Sequence, residues 1–492
     1  MSVDCITDLD GHALSAAIHA RDISCREVMA AYLARIHRLN PLLNAIVNLG
    51  SDERLLAQAD ARDAELAHAQ SCGWLHGMPL AVKDVSHALG FATTFGVPAL
   101  ADAVAHEDGL QVARMKAAGG IVIGKTAVPE FGLGSHTFST LFGATPNAWD
   151  ASVTAGGSSG GAAVALAHRL LPVADGSDVM GSLRNPAGWN HVFGMRPSAG
   201  RVPRWPAVDV FVSPLSTEGP MARNVRDLAR LLAVQAGFDA RVPLSLTTPP
   251  GTAFTPPEHP SAKGLRVGWL GNLGGYLAMA PGILPLCEAA LASLSDAGAQ
   301  VEPLALGFDP VPLWQAWLVW RQAQTAQNMA AVMALPGART QLKPEALWEY
   351  DAAQGLSQAS FAAAAQVRSA FYQHLLGLFE RFDVLALPTA QVWPFPIAER
   401  WPQQIGDRVM DTYHRWMEVT LYATFAGLPA ISVPAGFDPS GRWPMGLQLI
   451  GRPQGDAALL AAAATCESLI PALLARRPAE PKSTVGPRTI GA

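Results

Sequence analysis

Short apolar strands that alternate with helices constrain the fold of this chain more than any other feature of its sequence. Residues 78–85 (MPLAVKDV), 382–389 (FDVLALPT) and 445–451 (MGLQLIG) are apolar runs of strand length, as are 120–123 and 429–434. Strands buried on both faces of a sheet have this composition, because helices between them cover the faces. The pattern predicts an α/β fold of α/β/α layers, with a central mixed β-sheet covered by helices on both faces.

The segments between these strands predict one continuous unit rather than separate domains. We interpret residues 1–492 as a single domain. Residues 241–264 are rich in proline and threonine and are predicted to form a surface linker. Residues of about 310–380 are predicted to be a helical insertion that contributes to a binding pocket. Residues 218–237 (EGPMARNVRDLARLLAVQAG) are predicted to form one amphipathic helix.

Composition excludes several classes of protein. The formal net charge is -5 and only 15% of residues are charged, which argues against a nucleic-acid partner. The five cysteines show no CxxC spacing, so neither a disulfide framework nor a zinc site is indicated. The apolar stretch 457–475 is interrupted by Glu467 and Pro471, which predicts a packed helix rather than a membrane span. We therefore expect a cytoplasmic protein without a membrane partner and without a metal.

Two glycine- and serine-rich segments carry the strongest chemical signal. Residues 156–161 read GGSSGG, and residues 176–187 read GSDVMGSLRNPA. Glycine lets the backbone approach a ligand closely, and a serine in such a turn becomes a nucleophile when a base removes its proton. Lysine serves as that base when burial lowers its pKa. Lys83 ends an apolar strand and is therefore a candidate base.

These segments resemble the amidase signature family. The resemblance rests on the GGSSGG run, on an acidic residue four positions before a serine, and on the hydrophobic-Arg-x-Pro sequence that follows that serine. It covers most of the chain, because further blocks occur in the family's order: GMPLAVKD (77–84), GKTAVPEFG (124–132), GATPNAWD (143–150), EGPMARNVRD (218–227), FDVLALPTA (382–390), AGLPAISVPAGFD (426–438) and PMGLQLIGRPQGDAALL (444–460).

The resemblance implies a serine amide hydrolase that needs no cofactor. Its nucleophile would be Ser182, and its bridging serine, on a cis peptide bond in the family, would be Ser158. Neutral Lys83 would take the proton of Ser158, which takes that of Ser182, and the relay would run backwards to protonate the leaving amine. The product of the first half-reaction would be an acyl-enzyme on Ser182.

The resemblance also assigns an oxyanion hole. Its donors would be the backbone N–H groups of Val179, Met180, Gly181 and Ser182. Methionine at position 180 departs from the family, which usually has glycine or alanine there. A backbone N–H survives this change, but the long side chain of Met180 is predicted to narrow the acyl pocket.

Five side chains are candidates for substrate binding. Met180 follows from the departure just described, and Trp205 and Trp189 lie near the nucleophile in sequence. His136 is a weaker candidate. Trp317 belongs to a run in which tryptophan recurs every third residue, a spacing more typical of core packing than of a pocket.

Two charged residues lie in the otherwise apolar segment around the nucleophile. They are Asp178 and Arg184. Buried charges are normally paired, so we predict that these two residues hold the loop together and do not act as catalysts.

Two other motif matches compete with this interpretation. Residues 119–126 (GGIVIGKT) fit the phosphate-binding pattern GxxxxGK[ST], but their Ile-Val-Ile interior predicts a strand that ends near an ordinary Lys125. Ser159 is the centre of a GxSxG match, which would imply a Ser-His-Asp hydrolase using His374 or His414. A nucleophile elbow needs a strand directly before it, and the preceding ASVTAG is typical of a loop.

The sequence therefore predicts an amidase that acts on a small-molecule amide. Its tryptophan-rich, apolar composition favours aryl or alkyl amides, with carbamates and esters as further candidates. The alternative from the same family is a glutaminase-type subunit of a tRNA-dependent amidotransferase complex. A catalytically silent binding protein is disfavoured because all three relay residues are present. A homodimer is a further possibility.

Overall fold

The computed structural model describes residues 3–212, 215–247 and 253–481. A small sheet contains β1 (Ile46–Val47), β2 (Pro79–Lys83) and β3 (Ile121–Thr126), in which β3 pairs with both neighbours and is parallel to β2. The central sheet has eight strands. They are β4 (Ala174–Asp178), β5 (Phe193–Arg196), β6 (Thr217–Ala222), β7 (Arg266–Trp269), β8 (Gln300–Pro303), β9 (Val384–Pro388), β10 (Ala430–Phe437) and β11 (Pro444–Gly451).

Helices connect and cover these strands. They are α1 (Val3–Asp8), α2 (Gly11–Ala20), α3 (Cys25–Leu43), α4 (Asp52–Ala67), α5 (Leu110–Ala117), α6 (Gly160–Ala167), α7 (Arg184–Asn190), α8 (Val225–Gln235), α9 (Ile283–Asp296), α10 (Pro310–Met333), α11 (Pro344–Ala353), α12 (Gln358–Arg381), α13 (Leu421–Phe425), α14 (Asp456–Ser468) and α15 (Pro471–Leu474). Short β-pairs are Phe138–Ser139 with Gly143–Ala144, and Gln404–Ile405 with Arg408–Val409.

The central sheet is mixed. Its strand order is β8-β7-β9-β11-β10-β5-β6-β4. β7 is parallel to both β8 and β9, whereas the pairs from β9 onward are antiparallel. The crossovers that parallel strands need are supplied by helices, which is why the strand and helix segments alternate in the sequence.

The two faces of the sheet pack against different hydrophobic cores. In β9, Val384 and Ala386 belong to the core that contains residues of α9 and α14, whereas Leu385 and Leu387 belong to the core that contains residues of α10 and α12. This division follows from the two-residue period of a strand, which sends alternate side chains to opposite faces. The predicted α/β fold, with a mixed sheet between helical layers, is confirmed.

One predicted element is wrong over its first third. Residues 218–237 do not form one helix, because Thr217–Ala222 is strand β6 and α8 begins only at Val225. The side chain of Asn224 caps α8 by accepting a hydrogen bond from the Asp227 N–H at 2.7 Å. β6 lies between β4 and β5, so its backbone groups pair with strands on both sides.

Two segments were predicted from the sequence to lie outside the regular layers, a surface linker at residues 241–264 and a helical insertion at about 310–380. The described part of 241–264, residues 241–247 and 253–264, contains no helix or strand, yet Phe254 and Ala262 within it are buried. The region of about 310–380 contains α10, α11 and α12. No helix in the described part of the chain is both long and apolar enough to cross a membrane.

Candidate active site

Lys83, the last residue of β2, lies at the centre of a buried polar cluster. Its side chain is fully buried, and Nζ donates to Ser158 Oγ at 2.8 Å, to Ser177 Oγ at 2.9 Å and to the Ser177 carbonyl oxygen at 3.0 Å. The Lys83 backbone N–H donates to Asp175 Oδ1 at 2.9 Å, which fastens the end of β2 to β4. Three acceptors therefore match the three N–H bonds of an ammonium group.

Burial makes the Lys83 ammonium group a stronger acid than that of an exposed lysine. Desolvation is the main effect and lowers the pKa of Lys83 to about 8, although the carboxyl groups of Glu218, Asp178 and Asp175 act in the opposite direction. A neutral amine is therefore accessible close to pH 8, which is what a base for a serine hydroxyl requires.

Ser158 follows a cis peptide bond with Gly157. The Gly157 N–H donates to Asn185 Oδ1 at 3.2 Å, and the N–H of Ser159 donates to the Ser182 carbonyl oxygen at 3.2 Å. These two bonds join the loop before α6 to the loop and first turn of α7. They bring the segment of Ser158 against the segment of Ser182.

Ser182 and Ser158 line the same cavity. In the described part of the chain, the Ser182 hydroxyl makes no hydrogen bond, so it is available to a ligand. Gly181, just before it, has a φ of +84°, and a Cβ there would lie 2.7 Å from a Thr420 side-chain carbon. Only glycine fits this turn without strain and without a clash.

The oxyanion-hole prediction needs a correction at Gly181. Its N–H donates to Asp178 Oδ1 at 2.9 Å and is therefore already occupied. The N–H groups of Val179, Met180 and Ser182 donate to no described residue. The Asp178 carboxylate reaches back over its own loop and takes one of the four predicted donors. The other three therefore remain open to an oxyanion.

The predicted pairing of Asp178 with Arg184 is confirmed. Arg184 Nε lies 3.0 Å from Asp178 Oδ2 and Nη2 lies 2.9 Å from Oδ1, with both side chains fully buried. Arg196 Nη1 lies 3.6 Å from the same carboxylate. Burial alone would raise the pKa of Asp178, but the Arg184 guanidinium outweighs it and holds the pKa well below its usual range. The carboxylate therefore stays ionised close to Ser182 in the sequence.

The cavity has a volume of about 730 Å³, which is large enough for a drug-sized molecule. Its lining is mainly apolar and comes from the loops after β2 and β3, from residues 199–212 and 215–218, and from α10. Phe95, Phe131, Leu215 and Met329 contribute to this wall. The cavity therefore offers a mainly apolar enclosure next to Ser158 and Ser182.

Of the predicted substrate-binding side chains, Trp205 lines the cavity and Met180 does not. Met180 is buried in the hydrophobic core that also contains Trp189. Its φ is not positive, so the backbone carries no strain from the replacement of glycine. The prediction that Met180 narrows the pocket is wrong, because its side chain turns into the core.

Trp189, Trp317 and His136 also lie outside the cavity lining. Trp189 is fully buried and stacks on Trp416 with ring centroids 5.7 Å apart. Trp317 is fully buried in the same core. The imidazole of His136 is held by the Ile397 carbonyl oxygen at 3.0 Å. These three side chains are therefore not part of the cavity lining.

The competing motifs do not form sites. Lys125 lies within β3, where Nζ donates to Thr93 Oγ1 at 3.2 Å, so the GxxxxGK[ST] match is a strand as predicted. Ser159 is fully buried and does not line the cavity. His414 packs against Trp314 in the core. The Ser159 hydroxyl is directed to the Ser177 carbonyl oxygen, so neither His374 nor His414 serves it as a base.

Three polar residues around Lys83 escaped sequence reasoning. Ser177 accepts two hydrogen bonds from Lys83, Asp175 holds its backbone, and Glu218 lines the cavity. Burial raises the pKa of Asp175 to about 7. The signal that could have found Asp175 and Ser177 is the polar sequence ADGSD between apolar runs, because polar side chains in a buried strand need partners.

A cluster of potential metal ligands lies outside the cavity lining. Ligand atoms of Glu65, Cys72 and His76 lie within 4.8 Å of one another. The Arg62 guanidinium donates to Glu65 Oε2 at 2.7 Å and to Cys72 Sγ at 2.9 Å, so a cation already occupies this position. We assign no metal to it.

Comparison with known families decides the class of this site. The family model described as Amidase matches residues 27–460. The chain belongs to the amidase family. The match includes the strand of Lys83 and both serine loops, so the resemblance inferred from the sequence is confirmed.

Curated relatives of this amidase fall into two groups. An acylamidase of Rhodococcus erythropolis is 32% identical over 94% of this chain and 96% of its own length. The glutamyl-tRNA(Gln) amidotransferase of Acidothermus cellulolyticus has a subunit that is 33% identical over 92% of this chain and 93% of its own length. Sequence identity does not separate these two groups.

Solved structures of similar proteins are amide hydrolases. A bacterial aryl acylamidase of the amidase signature enzyme family superposes with a TM-score of 0.89 at 29% identity, covering 96% of this chain and 100% of its own. A 6-aminohexanoate cyclic dimer hydrolase superposes with a TM-score of 0.84 at 26% identity, covering 96% and 98%. This amidase is therefore an amide hydrolase with the amidase signature fold.

Proposed function

We propose that this amidase hydrolyses the carboxamide C–N bond of an aryl or alkyl amide through an acyl-enzyme on Ser182. One observation carries the proposal: Lys83 Nζ lies 2.8 Å from Ser158 Oγ, and Ser158 and Ser182 line the same apolar cavity. A base, a bridging hydroxyl and a free hydroxyl at one cavity are the parts that serine activation requires.

The relay moves one proton out and back. Neutral Lys83 takes the Ser158 proton, Ser158 takes the Ser182 proton, and Ser182 Oγ attacks the carbonyl carbon. When the tetrahedral intermediate collapses, the proton returns through Ser158 to the leaving nitrogen, and the amine departs. Water then repeats the sequence as nucleophile, which releases the carboxylic acid and restores the enzyme.

Charge on the carbonyl oxygen is stabilised by the free backbone N–H groups of Val179, Met180 and Ser182. Each such donor contributes roughly 3 kcal/mol in known hydrolases. Asp178 supports them, since it holds Gly181 and Leu183 by their N–H groups and so fixes the loop. The Met180 side chain anchors the same loop in the core.

The charges at the cavity support a neutral substrate. Among the described residues, Arg321 is held by Glu349 and by the Tyr413 hydroxyl, Arg204 lies 3.7 Å from Glu218, and Asp209 accepts backbone N–H groups. The carboxylate of a zwitterionic amino acid would lose its hydration, and both arginines of the described cavity lining, Arg204 and Arg321, already face a carboxylate. An apolar acyl or aryl group instead gains from burial in this enclosure.

The second candidate is a glutaminase-type subunit, favoured by the relatives from tRNA-dependent amidotransferases. We expect purified protein to hydrolyse a neutral anilide with kcat/KM at least about 100-fold above that for free glutamine, because burying the two charges of glutamine costs several kcal/mol. Ammonia release from glutamine and aniline release from an acyl anilide measure the two rates. A preference for glutamine would contradict the proposal and establish the second candidate.

The proposed relay also fixes a pH dependence. Because only neutral Lys83 accepts a proton and its pKa is lowered to about 8, kcat/KM should rise about tenfold per pH unit below pH 8 and level off above it. A profile of anilide hydrolysis from pH 5 to pH 10 measures this limb.

A second buried lysine provides the control for this profile. Burial also lowers the pKa of Lys125 to about 8, but its ammonium contacts the Ser86 carbonyl oxygen, Thr93 and Asp84, and it donates to no serine hydroxyl of the described residues. Lys83→Met should remove activity at every pH, whereas Lys125→Met should keep the position of the limb. If Lys125→Met shifts the rising limb of the pH profile and Lys83→Met leaves it in place, the relay is contradicted.

A further inference from the structure

Glu218 is a buried acid at the cavity that the relay does not use. It lies in β6 directly opposite Ser177 of β4, the residue whose hydroxyl and carbonyl hold Lys83. Its side chain is 1% exposed and lines the cavity together with Ser158 and Ser182. Oε2 has no hydrogen-bond partner among the described residues. A carboxyl group at this position needs a compensating charge.

That charge comes from Arg204. Its Nε lies 3.7 Å from Glu218 Oε1. Arg204 belongs to residues 203–212, here named the mouth segment, most of which lines the cavity. The mouth segment also reaches solvent, since Val208 and Phe211 are each 73% exposed. The ion pair therefore joins a solvent-exposed loop to the strand that faces Lys83.

We propose that Glu218 is a positioning residue of the relay, whose buried carboxylate, held ionised by Arg204 of the mouth segment, stabilises the Lys83 ammonium. This inference rests on the proposed function of Lys83 as the base. It adds a residue that makes no hydrogen bond to Lys83, Ser158 or Ser182 and acts on the relay through the charge of Lys83.

The charges that face Lys83 come from three elements. Burial lowers its pKa, and against this act Glu218 from β6 and Asp178 and Asp175 from β4, while Arg204 from the mouth segment acts with burial. Burial raises the pKa of Glu218 itself, and the Arg204 guanidinium opposes that rise. Loss of Arg204 would therefore favour the neutral form of Glu218, which acts on Lys83 in the same direction as replacement of Glu218 by an uncharged residue.

The carboxylate of Glu218 has opposite effects on two steps of catalysis, activation of Ser182 and protonation of the leaving amine. A carboxylate near the ammonium makes Lys83 hold its proton more firmly, which slows activation of Ser182 at low pH. The same effect keeps a proton available for the leaving amine when the tetrahedral intermediate collapses to the acyl-enzyme. A reagent whose leaving group needs no proton separates these two steps, and a fluorophosphonate, which expels fluoride, is such a reagent.

The test is the pH dependence of covalent labelling. For Glu218→Gln we expect the rising limb of the fluorophosphonate labelling rate to move about one pH unit lower, so that labelling at pH 6 becomes about tenfold faster than in the unmodified protein. Intact-mass measurement of the adduct against time gives the rate on folded protein. An unchanged limb would overturn the inference.

Arg204→Met distinguishes the route of the effect. If Arg204 acts through Glu218, this variant moves the limb in the same direction as Glu218→Gln, and the double variant adds nothing further. If Arg204 acted on Lys83 directly by repulsion, its removal would move the limb to higher pH. That outcome would overturn the role of Arg204.

The surface offers a matched pair for control. Arg381 and Glu302 lie 3.6 Å apart and are exposed, far from complete burial. Glu302→Gln and Arg381→Met should leave the labelling profile unchanged. Lys83→Met separates this inference from the proposed function: labelling that persists in Lys83→Met refutes the relay, whereas an unmoved limb in Glu218→Gln, with Lys83 still required, refutes only the role of Glu218.

Discussion

Ser182→Ala is expected to lower amide turnover by at least about 10³-fold and to abolish covalent labelling by a fluorophosphonate. The hydroxyl of Ser182 lines the cavity and makes no hydrogen bond to another described residue, so its loss removes the nucleophile without breaking a structural contact. Fold is expected to be retained, because the backbone bond from the Ser159 N–H to the Ser182 carbonyl remains. Aniline release and intact mass measure the two effects.

Ser159→Ala is the matched control for this experiment. Ser159 lies in the same glycine-rich run as Ser158, but it is fully buried and its hydroxyl is directed to the Ser177 carbonyl oxygen at 3.5 Å. We expect this variant to keep labelling. An adduct that maps to Ser159 in the Ser182→Ala protein, with turnover preserved, would refute the assignment of the nucleophile.

The sequence predicted what depends on local composition and on ordered motifs. Strands such as β9 and β11 are short apolar runs, so their positions follow from the length and composition of those runs. Lys83 was predicted to be buried because it ends such a strand, and the structure buries it completely. Asp178 and Arg184 were predicted to pair because a charge inside an apolar segment is costly alone, and they do.

The choice of pocket side chains depends on information that sequence distance does not contain. Trp189 is nearer to Ser182 along the chain than Trp205 is, yet Trp189 belongs to the core shared with α10 and α12, whereas Trp205 lines the cavity. Either position gains free energy by removing an indole from water, so composition does not separate them. Trp317 has the threefold spacing typical of core packing, and the core is where it lies.

Two further differences arise from contacts that form only in three dimensions. The Gly181 N–H is taken by the carboxylate of Asp178, which depends on how the loop folds back after β4. The start of the 218–237 segment forms β6, because its backbone pairs with β4 on one side and with β5 on the other. In both cases hydrogen bonds to distant or returning segments outweigh the local preference that sequence analysis reads.

The second large effect concerns the stability of the nucleophile loop. Asp178→Asn is expected to lower the free energy of unfolding by about 3–5 kcal/mol, because it leaves Arg184 and Arg196 buried without their shared counter-charge. Arg184→Met should cost less, since Asp178 would keep Arg196 at 3.6 Å. Urea denaturation followed by tryptophan fluorescence measures both variants.

Asp383 supplies the control, because it is also shared by two arginines but lies at the surface. It is 35% exposed in its side chain and is contacted by Arg266 at 2.8 Å and by Arg452 at 2.9 Å. Water and salt screen such pairs, so Asp383→Asn should cost under about 1 kcal/mol. Equal losses for Asp178→Asn and Asp383→Asn would contradict the interpretation that burial makes Asp178 essential. A larger loss at Asp178 would show that burial, rather than the number of arginine partners, sets how much the carboxylate contributes to stability.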